Sequence, residues 1–257
     1  MLTPGTDWKA DVTVETPEDF QGMRAAGALV RRVFEQMKRA AVAGVSTAEL
    51  DALAAAMLSD AGAVSAPKLF YDFPGHTCIS VNEHAAHGIP GHRRVKAGDM
   101  INIDVSAELD GYVADMGESF VVGGGRRAQH EICAAVREAV SDAIAQVKPG
   151  RSLNVLGKAA QRVAQRRGYQ IIRNLGSHGV GRSIHEEPSY VPVDNPAETR
   201  RLRQGMVFTI EPFFTTGVPW VEELTDGWTL AVGKDQLVAQ FEHTIMVTHD
   251  GVEILTA

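Results

Sequence analysis

The amino-acid sequence repeats itself at an interval of 106 to 107 residues, and this repeat restricts the fold more than any other feature. Three helix-bounding signals and a strand-like segment in the first half each have a counterpart in the second half. Because the matches keep one order and spacing, they predict a duplicated unit rather than a coincidence. The matching positions are Gly44 and Gly150, Ser46 and Ser152, Gly62 and Gly168, and the segments 98–104 and 205–211.

Four helical patterns lie beside the repeated positions. Thr16 can cap the first helix, with Pro17 at its first position, and Ser46 opens a capping box for the second. The third pattern covers 128–147 and the fourth covers 152–168. Each half therefore contains two helices followed by antiparallel strands. This order predicts an α+β fold with two pseudo-symmetric halves and a central antiparallel sheet covered by helices on one face.

The chain of 257 residues is long enough to bury a substantial core. No Pro- or Ser-rich linker separates the two halves. We therefore predict a single domain over residues 16–257, with halves of roughly 16–122 and 123–257, after a short N-terminal extension at 1–15.

Charge and composition exclude several classes of protein. The 25 basic and 32 acidic side chains give a net charge of −7, which argues against a surface for nucleic acid or anionic membrane. No apolar run approaches the roughly eighteen residues of a membrane span, and the N-terminus lacks the features of a signal peptide. Cys78 and Cys133 form neither a zinc-binding spacing nor a disulfide framework. We predict a cytoplasmic protein that binds neither nucleic acid nor membrane.

Each half of the repeat has a strongly β-prone segment that is followed by an acidic residue, and the two acids occupy corresponding positions. Asp104 follows the apolar positions of 101–103, and Glu211 follows 207–210. An ionised acid on a buried strand is costly unless it is paired or binds an ion. Each acid alone fits a solvated strand end equally well, but their matching positions in both halves favour a shared function.

A third acid is predicted to lie near Asp104. If Asp110 and Gly111 form a two-residue hairpin turn, Asp104 lies opposite Gly117 and diagonally adjacent to Asp115. Two carboxylates that converge in a core repel each other, and a cation would remove that repulsion. A bulge or a longer turn would change this register.

The second half supplies the remaining candidate ligands. Strand alternation over 240–247 places Glu242 and His243 on opposite faces, so only one can point toward the other acids. His178 lies in the Gly-rich segment 174–181, which lets backbone and metal approach closely. Four carboxylates and one imidazole suit a pair of divalent ions with open positions for water, rather than a closed structural zinc site.

The motifs, taken in order, resemble the type I methionine aminopeptidases, a family with the pita-bread (creatinase/aminopeptidase) fold. The resemblance extends from about residue 16 to residue 256 and is specific because the order and spacing of all the motifs agree. The matching motifs are SVNE at 80–83, HGIP at 87–90, NIDV at 102–105, Asp115, HGVGR at 178–182, HEEP at 185–188, FTIEP at 208–212, DGWT at 226–229 and EHT at 242–244.

The resemblance implies a dinuclear metal centre that takes Co, Mn, Fe or Zn, with Asp115 and Glu242 bridging the two ions. A water shared by the ions would attack the first peptide carbonyl, and Glu211 would accept its proton. His185 would donate to the oxyanion, and His87 would contact the scissile amide nitrogen or the neighbouring substrate backbone. The implied metal ligands are Asp104, Asp115, His178, Glu211 and Glu242.

The methionine pocket of this family matches the chain only in part. Cys78 and Trp228 are retained, whereas four positions depart from the pattern but stay apolar. An apolar pocket suits the methionine thioether, although the departures leave strict methionine preference open. The departing positions are Pro67 and Ile184, in place of a second Cys and a Phe, and Phe70 and Phe73, in place of two Tyr.

The resemblance further implies the short bacterial form of the enzyme. Its substrates would be nascent polypeptides that carry an N-terminal methionine before a small second residue, met near the ribosomal exit. We expect a monomer, with possible transient contact with the ribosome.

Two other functional hypotheses compete with a methionine-specific aminopeptidase. An aminopeptidase of the same fold but altered specificity, such as a proline-specific enzyme, usually carries an additional N-terminal domain, for which the residues before position 16 leave no room. A non-catalytic relative that only binds peptides or proteins typically loses metal ligands. This chain retains all five ligand types together with His87 and His185, so we predict catalysis.

Overall fold

The computed structural model describes residues 12–257, so residues 1–11 of the predicted N-terminal extension lie outside the described part. The helices are α1 Pro17–Ala40, α2 Thr47–Asp60, α3 Ala66–Tyr71, α4 Arg127–Ile144 and α5 Asn154–Arg167. The strands of the first half are β1 Val64–Ser65, β2 Cys78–Val81, β3 His84–Ala86, β4 Met100–Leu109 and β5 Tyr112–Val121. Those of the second half are β6 Gln170–Ile171, β7 Ser177–Gly179, β8 Glu186–Tyr190, β9 Val207–Ile210, β10 Phe213–Thr215, β11 Glu222–Glu223, β12 Leu230–Ala231, β13 Val238–Gln240, β14 His243–Val247 and β15 Val252–Ile254.

The long helices begin where the capping signals predict. The Thr16 hydroxyl accepts from the amide of Asp19 at 3.1 Å, and the Asp19 carboxylate accepts from the amide of Thr16 at 2.9 Å. Ser46 and Glu49 make the same reciprocal pair at α2. The helix α5 begins two residues after Ser152, whose hydroxyl accepts from the amide of its first residue. The six residues of α3 were not predicted, because so short a helix shows no periodicity.

The strands β4 and β5 form the predicted hairpin. Asp104 lies opposite Gly117, as a two-residue turn requires. Strand alternation then points Ile103 and Met116 into the core formed with α1 and α2. Asp104 and Asp115 lie on the other face. One side of this hairpin is therefore the apolar core of the first half, and the other side is polar.

The second half contains an equivalent hairpin with a break in both strands. β9 pairs with β14, and β10 pairs with β13, in one continuous register on both sides of the break. The prediction of an unbroken strand over 240–247 is therefore wrong. At the break, the amide of Glu242 donates to the carbonyl of Gly117 at 2.8 Å, and Phe241 forms a β-bridge with Glu118. Residues 241 and 242 therefore bond to β5 of the first half instead of to the opposite strand of their own hairpin.

The two hairpins differ most at their tips. The first closes with the two-residue turn at Asp110 and Gly111, whereas residues 216–237, which include β11 and β12, connect the strands of the second. Within residues 12–257 the antiparallel strands are divided among four hydrogen-bonded sheets rather than one central sheet, and the break in the second hairpin places its two ends in different sheets. The sheet orders are β1-β4-β2 with β5 paired to β4, β13-β10-β6, β11-β12-β3 and β15-β14-β9-β7-β8.

The helices of the second half repeat the packing of the first. Phe208 of β9 and Ile245 of β14 are fully buried in one core with residues of α4 and α5. Buried Glu118 of β5 binds Lys38 of α1 (Nζ–Oε1 2.8 Å) and also pairs with Arg137 of α4, so one carboxylate joins helices of both halves. Within residues 12–257, every helix is too short or too polar to span a bilayer.

Candidate metal centre

The predicted ligands come from five separate segments: four lie in the two hairpins, and His178 lies on β7, which pairs with β9. Asp115, His178 and Glu242 are buried, and one ligand atom of each lies within 4.8 Å of the others. Nε2 of His178 is 3.2 Å from Oε1 of Glu211 and 3.8 Å from Oδ2 of Asp115. Asp104 and Asp115 are diagonal neighbours on the same face of the first hairpin. His243 faces away, since its Nδ1 lies 2.9 Å from the hydroxyl of Thr256.

Two buried threonines hold ligands from different segments in fixed positions. The Thr244 hydroxyl donates to the carbonyl of Asp115 at 2.7 Å and accepts from its amide at 2.9 Å. The Thr209 hydroxyl donates to Oε1 of Glu211 at 2.7 Å and accepts from the amide of His178 at 3.0 Å. These hydrogen bonds restrict the ligand segments relative to one another, which is the kind of support that a preorganised site requires.

Gln240 is a supporting residue that the sequence analysis missed. Its amide Nε2 donates to Oε2 of Glu242 at 2.9 Å, while its Oε1 accepts from Nδ2 of Asn102 at 2.7 Å. Partners of this kind orient metal ligands and tune their affinity. The signal was present in the chain, because Gln240 precedes Glu242 by two residues and so shares its face.

The chemistry of this cluster fits divalent cations. The second oxygen of Glu242, Oε1, is buried and has no hydrogen-bond partner among the described residues. A buried unpartnered carboxylate oxygen is costly, and a cation at this position would satisfy it. Carboxylate oxygens with one imidazole form a ligand set that Mn, Fe, Co and Zn all accept.

The pKa values show how strongly the acids need a counter-charge. Burial, together with the charge of Asp115, raises the pKa of Asp104 and of Glu242 well above their ordinary values. Burial also raises the pKa of Asp115 to about 6, although His178 opposes that rise. Burial alone would lower the pKa of His178, but the neighbouring Glu211 and Asp115 outweigh it and raise the pKa to about 9.

The missing side chain of Gly117 leaves room for that of Gln240, and a larger residue there should weaken metal binding. A Cβ at Gly117 would lie 2.3 Å from Oε1 of Gln240, so Gly117→Ala should displace that amide from Asn102 and Glu242. We expect metal affinity to fall about 10- to 100-fold, the usual effect of losing a group that orients a ligand. The measurement is a metal titration by calorimetry. Gly91→Ala, which adds a Cβ in open space, is the control, and unchanged affinity in Gly117→Ala would contradict the prediction.

A cavity of about 470 Å³ opens beside the metal ligands. Phe73 and Trp228 form one wall and pack edge to face, with ring centroids 5.1 Å apart. Phe70 is not among the cavity residues. Successive helical residues point about 100° apart, and α3 turns Tyr71 rather than Phe70 toward the cavity. The other predicted pocket residues, Cys78, His87, Ile184 and His185, line the cavity, as does Pro67.

The two predicted catalytic histidines lie at this cavity. The ring of His185 contacts that of His178, with centroids 4.3 Å apart. Burial, His178 and His87 together lower the pKa of His185 to about 3, and loss of hydration likewise lowers the pKa of His87. Both imidazoles are therefore neutral near pH 7, and each has one N–H to donate.

Comparisons with known proteins show the family to which the chain belongs. The model of metallopeptidase family M24 matches residues 21–249. The chain is 41% identical over 245 residues to methionine aminopeptidase 2 of Bacillus subtilis (strain 168), covering 95% of this chain and 98% of that protein. It matches the crystal structure of methionine aminopeptidase from Rickettsia prowazekii with a TM-score of 0.91 and 35% identity, covering 96% and 100% of the two chains.

A more distant likeness shows the fold alone. The prolidase from Pyrococcus furiosus has a TM-score of 0.75 and 24% identity, and the match covers 95% of this chain and 65% of that one. Taken together, the structural matches confirm the α+β pita-bread fold, and the identities confirm the family resemblance. The chain therefore belongs to metallopeptidase family M24 and, within it, to the methionine aminopeptidases.

Proposed function

We propose that this chain is a metal-dependent aminopeptidase that hydrolyses the peptide bond after an N-terminal methionine when the second residue is small. The observation that carries the proposal is the buried acid cluster, with the unpartnered Oε1 of Glu242, directly beside an apolar cavity. The cluster suits metal ions and the cavity suits one apolar side chain. The names of the full-length relatives support methionine as that side chain.

Five residues would hold two divalent ions. When bound, the ions would supply an acidified water and polarise the scissile carbonyl. The repulsion among the buried acids, visible in the raised pKa values of Asp104, Asp115 and Glu242, is then balanced by positive charge. The ligands are Asp104, Asp115, His178, Glu211 and Glu242.

The remaining steps belong to groups at the cavity wall. Glu211, held by the Thr209 hydroxyl, would take a proton from the attacking water and return it to the leaving amine. His185 would donate its N–H to the oxyanion of the tetrahedral intermediate, a contribution typically of a few kcal/mol. His87 would donate to the substrate backbone. Because both imidazoles are neutral, these contacts need no prior protonation.

The cavity has the character that a methionine side chain needs. Its walls include Phe73, Trp228, Ile184 and Pro67, all of which contribute apolar surface. Burial raises the pKa of the Cys78 thiol well above its ordinary value, so the sulfur is uncharged. A flexible, polarizable thioether packs well against aromatic and sulfur-containing walls. We further propose that the enzyme acts as a monomer on nascent chains in the cytoplasm.

The test is amino-acid release from Met-Ala-Ser, Leu-Ala-Ser, Ala-Pro-Ser and Met-Leu-Ser, with metal-free protein reconstituted with manganese, cobalt, iron or zinc. We expect release of methionine from Met-Ala-Ser alone, and only with metal. Release of leucine or alanine would show that Pro67, Phe73 and Ile184 have redirected specificity. No release with any metal would overturn the proposal in favour of a binding protein.

A further inference from the structure

Tyr71 makes a contact that the proposed reaction has not used. Its hydroxyl oxygen lies 2.5 Å from Nδ1 of His185, and the two rings meet at a centroid distance of 5.4 Å. Tyr71 is the last residue of α3, and its side chain forms part of the cavity wall. No family motif of the sequence analysis includes this residue.

The chemistry of the two groups determines what the contact can do. A neutral imidazole has one N–H donor and one acceptor nitrogen, and which nitrogen carries the proton depends on its partners. Burial raises the pKa of Tyr71, so its hydroxyl keeps its proton and can donate. If that hydroxyl donates to Nδ1 of His185, the imidazole proton must be on Nε2.

The two ends of the short helix α3 determine where Tyr71 lies. The Ser65 hydroxyl caps α3, accepting from the amide of Lys68 at 3.4 Å and donating to the carbonyl of His76 at 2.7 Å. Asp72 then ends the helix in a left-handed conformation, with φ of +56°. The Ser65 cap anchors the start of α3, the helix ends directly after Tyr71, and the contact with His185 places the Tyr71 ring beside the imidazole.

We propose that Tyr71 is a positioning residue that fixes His185 as the tautomer with its N–H on Nε2, ready to donate to the substrate oxyanion. The inference rests on the proposed function, because it assigns His185 the donor role. Tyr71 would act through the imidazole and would not itself contact the reacting atoms. Its loss should therefore affect the chemical step and leave substrate binding nearly unchanged.

The first experiment requires no activity. Imidazole ¹⁵N NMR spectra of the metal-free protein distinguish the two neutral tautomers, and a His185→Ala spectrum identifies the His185 signals. We expect a dominant Nε2–H form in the wild type and a mixture or reversal in Tyr71→Phe. Tyr169→Phe removes a hydroxyl that lies outside the cavity and is the matched control. Identical tautomer populations in Tyr71→Phe and the wild type would overturn the proposal.

The second experiment separates positioning from direct binding. With Met-Ala-Ser and added metal, Tyr71→Phe should lower kcat about tenfold, the effect of losing one hydrogen bond, and change KM less than twofold. In the His185→Ala background the same substitution should have no further effect. A rise in KM alone, or additive losses in the double variant, would overturn the proposal. If the wild type releases no amino acid, the proposed function fails, and the NMR result alone decides whether Tyr71 sets the tautomer.

Discussion

Replacing Asp115 with alanine is expected to abolish metal-dependent release of methionine while the protein stays folded. The carboxylate lies near His178 and Glu242, accepts from the Ser106 hydroxyl at 3.0 Å, and approaches Nε2 of His178 at 3.8 Å. If it is shared by two ions, its removal should weaken both. We expect kcat/KM to fall by about 10³-fold, the upper end of the loss when one group that stabilises developing charge is removed.

Metal stoichiometry tests this expectation more sharply than activity does. The dialysed Asp115→Ala protein should retain fewer than two ions per chain, measured by elemental analysis, and its circular dichroism spectrum should match the wild type. Asp60→Ala, which removes an exposed carboxylate at the end of α2, is the matched control. Full stoichiometry in Asp115→Ala would show that Asp115 does not bridge the ions.

The metal-free protein is expected to become less stable as the pH rises from 7 to 9. The folded protein raises the pKa of His178 from 6.5 to about 9, so it binds this proton more tightly than the unfolded chain does between those values. That stabilisation is lost as the pH rises through 9, and it corresponds to about 3 kcal/mol. Below pH 6.5 the lowered pKa values of His185 and His243 act against the raised pKa of Asp115, so no single direction dominates there.

Metal ions should reverse this dependence, because they replace the bound protons as counter-charge. Melting temperatures of the metal-free protein at pH 7, 8 and 9 should fall with pH, and the increase on adding manganese should grow with pH. Asp115→Asn removes one of the two charges that raise the pKa of His178 and should flatten the fall. A metal-free protein that is more stable at pH 9 than at pH 7 would refute the expectation.

Local signals in the sequence predicted much of the fold. The capping pairs at Thr16 and Ser46 place the first two helices, and the turn at Asp110 and Gly111 sets the register that brings Asp104 near Asp115. These features depend on residues close in sequence, where backbone chemistry decides the outcome.

The sequence-based predictions were wrong where contacts between distant segments determine the local structure. The strand containing Glu242 breaks because its amide bonds to Gly117, more than a hundred residues earlier in the chain, and no local pattern reports that partner. Phe70 was assigned to the cavity by resemblance, but the rotation of a six-residue helix presents Tyr71 instead. Supporting contacts such as that of Gln240 with Asn102 likewise appear only when both halves are folded.

The two hairpins end in connections of unequal length. Their strands, which carry the predicted metal ligands, must keep their geometry, whereas the long connection can vary. The first hairpin closes with a short turn at Asp110 and Gly111, and its strands position Asp104 and Asp115. The connection at 216–237 carries Trp228 into the cavity, beyond the strands that flank Glu211 and Glu242. Insertions and substitutions in such a connection need not move those strands. Substrate preference in this architecture can therefore diverge by remodelling one hairpin tip while the hydrolytic centre is inherited intact.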